Sequence, residues 1–413
     1  MHTPKLHPLQ AIPLQDGDRI VVQLFDPSRL SDQVAIMPQE MMFLLAMLDG
    51  THSIVDIQAA ITRQTGEIVF AEQIQQIIDQ LDQALFLESP HFADHMRQVE
   101  ATFRAAPVRP ATSAGSGYPA NPQELATALD SYFTAPGGPG KPAPAADDGR
   151  LVGLVAPHID FARGGPTYAH AYNALRADGL AEGCDADLFV VLGTAHHARD
   201  AHCILTRKDF ETPLGTMPTA TALVDQLARQ CDGDLFAEEL VHAKEHSIEF
   251  QVVLLQHILG DHPAEILPIL CCSTDGRVDD DQSPRDLAKI GDFLAALDAV
   301  ITDSGRQACV IASADLAHVG RHFGDEFALT PDLMQDVEAA DRDTLAHAVR
   351  LDAEGFYDAI RIDDNARHIC GVAPIYTLLA TTPATRATLL DYRQAVDYDL
   401  DRAVTFAAMA LYA

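Results

Sequence analysis

The chain has 413 residues, of which 47% are hydrophobic and 21% charged, and this length favours two globular domains. Its 28 basic and 60 acidic residues give a formal charge of −32, which repels nucleic-acid phosphates and anionic lipid surfaces, so we expect neither partner. The sequence contains no signal-peptide core, no membrane-length apolar run and no paired cysteine spacing. These features predict a cytoplasmic protein with reduced thiols.

Residues 1–104 predict a small α+β domain. Its expected elements are a strand at Ile20–Phe25, a helix at Pro38–Leu48, a helix capped by Ser53, and a third helix with Ile74, Ile77, Ile78, Leu81 and Leu85 on one face. This order, with the Leu48-Asp49-Gly50 turn, resembles the winged-helix-like PqqD-like peptide-recognition domains. A DNA-binding winged helix is disfavoured, because residues 1–90 hold four basic against twelve acidic side chains. The resemblance therefore implies docking of a peptide or protein.

Residues 105–413 predict a second, larger domain. It begins with a region rich in Pro, Ala and Gly that includes a loop at 134–148, and a helix is expected at Asn121–Phe133. Beyond it, apolar strand patterns alternate with helical ones; the strands are Leu151–Ala156, Leu188–Leu192, Glu265–Leu270 and Cys309–Ile311, and the helices include Thr219–Gln230 and Asp286–Ile301. Such alternation predicts an α/β fold with a mostly parallel sheet flanked by helices.

Polar clusters follow three of these strands. They are Pro157-His158-Ile159-Asp160, Gly193-Thr194-Ala195-His196-His197 and Ser313-Ala314-Asp315-Leu316-Ala317-His318. Two further clusters, Glu245-His246-Ser247-Ile248-Glu249 and His368-Ile369-Cys370-Gly371, can join them. Because ligands bind at the carboxyl ends of strands in open α/β sheets, we expect one shared crevice. Imidazole, thiolate and carboxylate together suit zinc, iron(II) or copper, although any single histidine is more often an ordinary polar residue.

These five motifs, in this order, resemble those of the MEMO family, also called AmmeMemoRadiSam system protein B. The resemblance covers about residues 107–413 and includes an entry segment at Ser113–Pro119. It implies a fold like that of class III extradiol dioxygenases. It also implies a metal held by His158, His196 and Cys370, and a working association with a radical SAM protein.

The same resemblance implies roles for neighbouring residues. His318 matches the acid/base histidine of the related dioxygenases, and Asp315, expected one helical turn away, would orient it. His197 and His246 are candidates for supporting the ligands or contacting substrate. Glu245 and Glu249 either fix histidine tautomers or interact with the dipole of the helix that follows.

Asp160 departs from the family motif, in which the histidine is followed by a small residue, a glycine and an aromatic residue. Its carboxylate either adds to the metal ligands or pairs with Arg163.

Three functions remain open at this point. The first is an iron(II) dioxygenase-like enzyme acting on an unknown small molecule or peptide. The second is a metal-binding adaptor for iron or copper without turnover. The third is a zinc-dependent hydrolase, since zinc also accepts histidine and cysteine ligands.

Overall fold

The computed structural model describes residues 3–17, 19–26, 31, 33–66, 68–140, 149–175, 186–274 and 282–413. The chain folds into two compact units, Met1–Ala105 and Ala106–Ala413. The second half of the predicted loop, residues 141–148, lies outside the described residues. Across the described ranges, no helix is both long and apolar enough to cross a membrane.

The first unit combines a small antiparallel sheet with helices. Its strands, in the order β1-β2-β3, are β1 (Gln10–Asp16), β2 (Arg19–Phe25) and β3 (Val34–Pro38). Its helices are α1 (Met42–Ala46), α2 (Ile54–Thr65), α3 (Ala71–Gln83) and α4 (Pro90–Ala105). All three strands precede the helices, and α4 is an element that the sequence patterns did not predict.

Local sequence explains where α2 begins and ends. Ser53 and Asp56 form a capping box, in which the Asp56 amide donates to Ser53 Oγ at 3.3 Å and the Ser53 amide donates to Asp56 Oδ2 at 2.9 Å. The helix ends at Gly66, whose φ of +74° is easily reached only without a Cβ. Most of the predicted apolar face of α3 is present, and Ile74, Ile78 and Leu81 are buried. Leu85, which was expected on the same face, lies beyond the end of the helix.

The second unit contains an eight-stranded mixed sheet. Its strands are β5 (Leu151–Ala156), β6 (Leu188–Thr194), β7 (Cys203–Leu205), β10 (Glu265–Cys271), β11 (Ala308–Ser313), β12 (Asp315–Val319), β13 (Arg386–Asp397) and β14 (Arg402–Tyr412). The strand order is β12-β14-β5-β11-β6-β10-β7, and β13 pairs with β14. A separate small sheet contains β4 (Val108–Arg109), β8 (Asp209–Thr212) and β9 (Gly215–Met217).

Helices pack around the large sheet and bury both of its faces. They are α5 (Pro122–Thr134), α6 (Phe161–Leu175), α7 (Thr221–Gln230), α8 (Ser247–Leu259), α9 (Ala288–Asp303), α10 (Pro331–Val349), α11 (Ala353–Arg361) and α12 (Val372–Thr381). The α/β class is therefore confirmed.

The prediction of a mostly parallel sheet was wrong. Within the part of the chain that the structure describes, β5, β11, β6 and β10 run parallel, whereas β7, β12, β13 and β14 make antiparallel pairs. The missed strand β14 contains the Ala-rich run Ala407-Ala408-Met409-Ala410, and alanine favours helices. Its burial between neighbouring strands overrides that local preference.

Strand β14 also brings the functional motifs together. Its C-terminal half pairs with β5 at Met409↔Val155, and its N-terminal half pairs with β12 at Val404↔His318. The end of β5 and the start of β12 therefore lie beside the same strand. Residues that follow β5 meet residues that begin β12 at this junction.

Candidate metal centre

His158 lies two residues after β5, with an exposed side-chain fraction of only 3%. Its Nδ1 is 3.1 Å from the carbonyl oxygen of Ser313. Because a carbonyl can only accept, Nδ1 must carry the proton, which leaves Nε2 as the ligand atom of the neutral ring. Nε2 lies 3.3 Å from Sγ of Cys370.

His196 follows β6 and is oriented by a carboxylate. Its Nδ1 lies 2.9 Å from Oε2 of Glu245, and its backbone amide donates to the same oxygen at 3.2 Å. Glu245 is buried, and its Oε1 accepts from the Ser247 amide at 2.9 Å. The carboxylate thus fixes the tautomer and leaves Nε2 of His196 available for an ion.

Cys370 lies just before α12, where the helix N-terminus favours a thiolate. Burial acts to raise its pKa, but the charges of His158 and His318 and hydrogen bonds from His158 and His196 outweigh it and lower the pKa to about 5. Burial likewise acts against protonation of His158, yet Asp315 and Cys370 raise the pKa of that imidazole to about 9. Without an ion, a proton on His158 faces the thiolate, and a metal would replace that proton.

The geometry of the three side chains fits one metal ion. Their donor atoms all lie within 4.8 Å of one another. Metal–sulfur and metal–nitrogen bonds of about 2.3 and 2.1 Å that meet at the tetrahedral angle of about 109° place the two donors about 3.6 Å apart. The distance between Cys370 Sγ and His158 Nε2 is 3.3 Å. The rings of His158 and His196 stand at 82° to each other, with their centroids 5.0 Å apart.

Comparison with known proteins identifies the family of the second unit. Residues 109–410 match the family model described as Memo-like protein. The chain belongs to the Memo-like family.

Three relatives of this Memo-like protein show how far along the chain the similarity extends. A MEMO1 family protein of Aquifex aeolicus is 27% identical over 399 residues, covering 96% of each chain. A MEMO1 family protein of Methanopyrus kandleri is 30% identical over 307 residues, which is 72% of this chain and 96% of the relative. One of Methanosarcina acetivorans is 30% identical over 265 residues, or 63% of this chain and 85% of the relative. Similarity to the Aquifex protein therefore extends into the first unit.

His246 borders the three candidate ligands without joining them. Its ring is stacked on that of His196 at a centroid distance of 5.3 Å and an angle of 10°. Glu245, His196 and His246 also have possible metal-donor atoms close together. However, the two stacked rings lie in separate parallel planes, so their nitrogen lone pairs do not point to a common position. Partial loss of hydration among its neighbours, with the charges of His196 and His158, lowers the pKa of His246 to about 4, so the ring is neutral at physiological pH. Its side chain keeps 38% of its surface exposed.

Asp315 does not lie one helical turn from His318, as the sequence analysis expected. Both residues belong to strand β12, which is extended because it pairs with β14. Asp315 instead accepts a hydrogen bond from the backbone amide of His158 at 2.9 Å. His318 Nδ1 lies 3.0 Å from the Leu316 carbonyl oxygen, and its ring contacts Phe323 edge-on at 5.1 Å.

Two further predicted residues are close in sequence to candidate ligands. Asp160 pairs with Arg163, whose Nε donates to Oδ2 at 2.6 Å and whose amide donates to Oδ1 at 3.1 Å, as at a helix N-cap. This is the second of the two alternatives that the sequence left open for Asp160. His197 is exposed beside His196.

Glu249 lies in a separate buried group. Its carboxylate accepts from Arg109 and from Tyr118 Oη, and from the Ser113 amide at 2.9 Å. Arg109 also donates to the carbonyl oxygens of His242 and Glu245, at 2.9 and 2.7 Å. Glu249 therefore holds the entry segment against α8 rather than facing the candidate ligands.

Sequence reasoning missed the groups that orient the ligands through the backbone. The carbonyl oxygen of Ser313 fixes the orientation of the His158 ring. Gly371 allows the backbone beside Cys370 to approach β12, and the Gly371 amide donates to the Asp315 carbonyl oxygen at 3.1 Å. A Cβ at Gly371 would lie 2.4 Å from that carbonyl oxygen. The glycine directly after Cys370 was the available signal for this close approach.

Proposed function

We propose that this Memo-like protein holds iron(II) at His158, His196 and Cys370 and works as a non-haem dioxygenase-like enzyme on a small molecule or peptide. The observation that carries the proposal is the convergence of two orientated imidazoles and a low-pKa thiolate within 4.8 Å. Two neutral nitrogens and one anionic donor reproduce the charge of the two-histidine, one-carboxylate sites of iron oxygenases. Copper and zinc also accept these donors.

The protein residues around the ion have distinct tasks in this proposal. Bound iron would supply Lewis-acid and redox chemistry to substrate and dioxygen. Ser313 and Glu245 hold the imidazoles in the ligating tautomer. His318, whose charge acts on Cys370, is proposed to move protons, and the neutral ring of His246 lines the opening.

Elemental analysis of anaerobically purified protein tests the metal assignment. We expect near-stoichiometric iron in the wild type and its loss in His158→Ala and Cys370→Ser. Cys231→Ser is the matched control, because Cys231 is partly exposed and absent from the cluster. Failure of the wild type to retain any metal after reconstitution would overturn the proposal.

Turnover separates the enzyme from the alternatives. Oxygen consumption with a candidate substrate, lost in His318→Ala while iron remains bound, supports the dioxygenase-like activity. Iron or copper binding without oxygen consumption would instead favour the adaptor. Stoichiometric zinc with hydrolysis of model esters would favour the hydrolase.

For the first unit we propose the PqqD-like docking role, with a radical SAM protein as a candidate partner. Val34 and Ile36 on β3 are exposed, by 55% and 66%, on a sheet that leaves apolar side chains at its surface. A pull-down of purified full-length protein with a radical SAM protein of the same organism tests this role. Binding that survives Val34→Ser/Ile36→Ser would place the contact elsewhere.

A further inference from the structure

Gln251 is a fully buried residue in α8 whose side-chain amide group donates two hydrogen bonds to neighbours of the candidate metal ligand His158. Its Nε2 donates to the carbonyl oxygen of Pro157 at 2.8 Å and to Oγ of Ser313 at 2.8 Å. Its Oε1 accepts from Oη of Tyr172 at 2.9 Å. Helix α8 thereby connects the ends of β5 and β11.

The direction of each bond in this group is fixed by chemistry. The Pro157 carbonyl can only accept, so the amide must present its NH₂ group there, and the second N–H then donates to Ser313. Ser313 Oγ in turn donates to the Ser247 carbonyl at 2.7 Å. A buried network in which every donor and acceptor is used favours a single arrangement of its members.

Both residues to which Gln251 donates a hydrogen bond are neighbours of the first candidate ligand. Pro157 precedes His158 in the chain, and the carbonyl of Ser313 accepts the bond from His158 Nδ1. We propose that Gln251 is a positioning residue that sets the orientation of His158 in the metal centre. This inference rests on the proposed metal binding and assigns Gln251 no contact with the ion.

Cobalt(II) titration of Gln251→Met tests the inference. Methionine has a similar size but no N–H donor, so the Pro157 carbonyl and Ser313 hydroxyl lose their partner. Loss of a group that orients a ligand typically lowers metal affinity about 10- to 100-fold, and we expect that change in the cobalt dissociation constant. The thiolate-to-cobalt charge-transfer band should also shift, because the His158 ring turns relative to the ion.

Gln256→Met is the matched control on the same helix. Gln256 bonds to Thr212, away from the candidate ligands, so its loss should leave the affinity and the spectrum unchanged. An equal loss in both variants would mean general damage to α8 and would overturn the inference. A Gln251→Met protein with wild-type affinity and spectrum would also overturn it.

Ser313→Ala provides the second variant if Gln251→Met does not fold. It removes the hydroxyl that Gln251 binds and keeps the carbonyl that His158 uses, so a smaller loss of affinity with a shifted band is expected. An unchanged Ser313→Ala protein would contradict the inference. Wild-type protein that binds no cobalt would overturn the proposed metal binding as well, which distinguishes the two failures.

Discussion

Asp315 contacts His158 at two points. Its Oδ1 accepts from the His158 backbone amide at 2.9 Å, and its Oδ2 lies 3.7 Å from the ring Nε2. The contact exists because β5 and β12 share one edge of β14, so a carboxylate 157 residues away in the chain faces the candidate ligand His158. Asp315 therefore acts on both the position and the charge of His158.

Asp315→Asn should lower the pKa of His158 below its value of about 9. Asparagine keeps an acceptor for the backbone amide but removes the negative charge that favours imidazolium, so the ring should lose its proton at lower pH. NMR titration of the imidazole in metal-free protein measures this midpoint. Asp160→Asn is the control, since Asp160 is paired with Arg163, and it should move the midpoint less.

The thiol of Cys370 should react at unusually low pH in metal-free protein. Its pKa is lowered to about 5, so the thiolate is present above that pH, and the rate of iodoacetamide alkylation should rise through pH 5 rather than near pH 9. Mass spectrometry of the labelled peptide follows the rate. His158→Gln removes the charge that favours the thiolate and should move the rise to higher pH.

Other cysteines provide an internal control for this measurement. Burial raises the pKa of Cys231 to about 11 and also raises the pKa of Cys203 and Cys271. These thiols should remain unlabelled at pH 6 to 7. Equal labelling of Cys231 and Cys370 would contradict the lowered pKa.

The sequence was sufficient to predict that the candidate site residues at the ends of strands lie close together. The apolar runs before His158 and His196 form β5 and β6, and parallel strands place their carboxyl ends at one edge of a sheet. Cys370 could not be placed in that way, because it lies before a helix and follows no strand of the sheet. Its grouping with the two histidines depended on the family resemblance.

The partners of these ligands could not be predicted from local patterns. Asp315 was expected in a helical turn because its spacing from His318 fits one, whereas pairing with β14 makes the segment extended. The carbonyl of Ser313 has no side-chain signature at all, although it fixes the tautomer of His158. Contacts between residues distant in the chain depend on strand order, which local periodicity does not determine.

Gly371→Ala should displace Cys370 and weaken metal binding. The backbone φ of −78° suits alanine, but the new Cβ would lie 2.4 Å from the Asp315 carbonyl oxygen, so the chain must move. We expect destabilisation of about 1–3 kcal/mol from overpacking together with a lower metal content. Thermal unfolding and elemental analysis measure the two effects.

Gly66→Ala separates backbone strain from this steric effect. Its φ is +74° and the added Cβ would meet no other part of the described chain within 4 Å, so the cost is about 1–2 kcal/mol of left-handed strain. The metal content of Gly66→Ala should remain that of the wild type. A Gly371→Ala protein that also keeps full metal content would show that Cys370 tolerates the movement.

Glu249→Gln should lower the free energy of unfolding without a direct effect on metal affinity. The carboxylate is fully buried and accepts from Arg109, Tyr118 and the Ser113 amide, so a neutral amide leaves the guanidinium uncompensated. Breaking a buried ion pair in this way costs about 3–5 kcal/mol, which urea denaturation can measure. Glu124→Gln, at an exposed position in α5, should change the value by no more than about 0.5 kcal/mol. Loss of metal from a Glu249→Gln protein of unchanged stability would instead place Glu249 among the residues that support the metal centre.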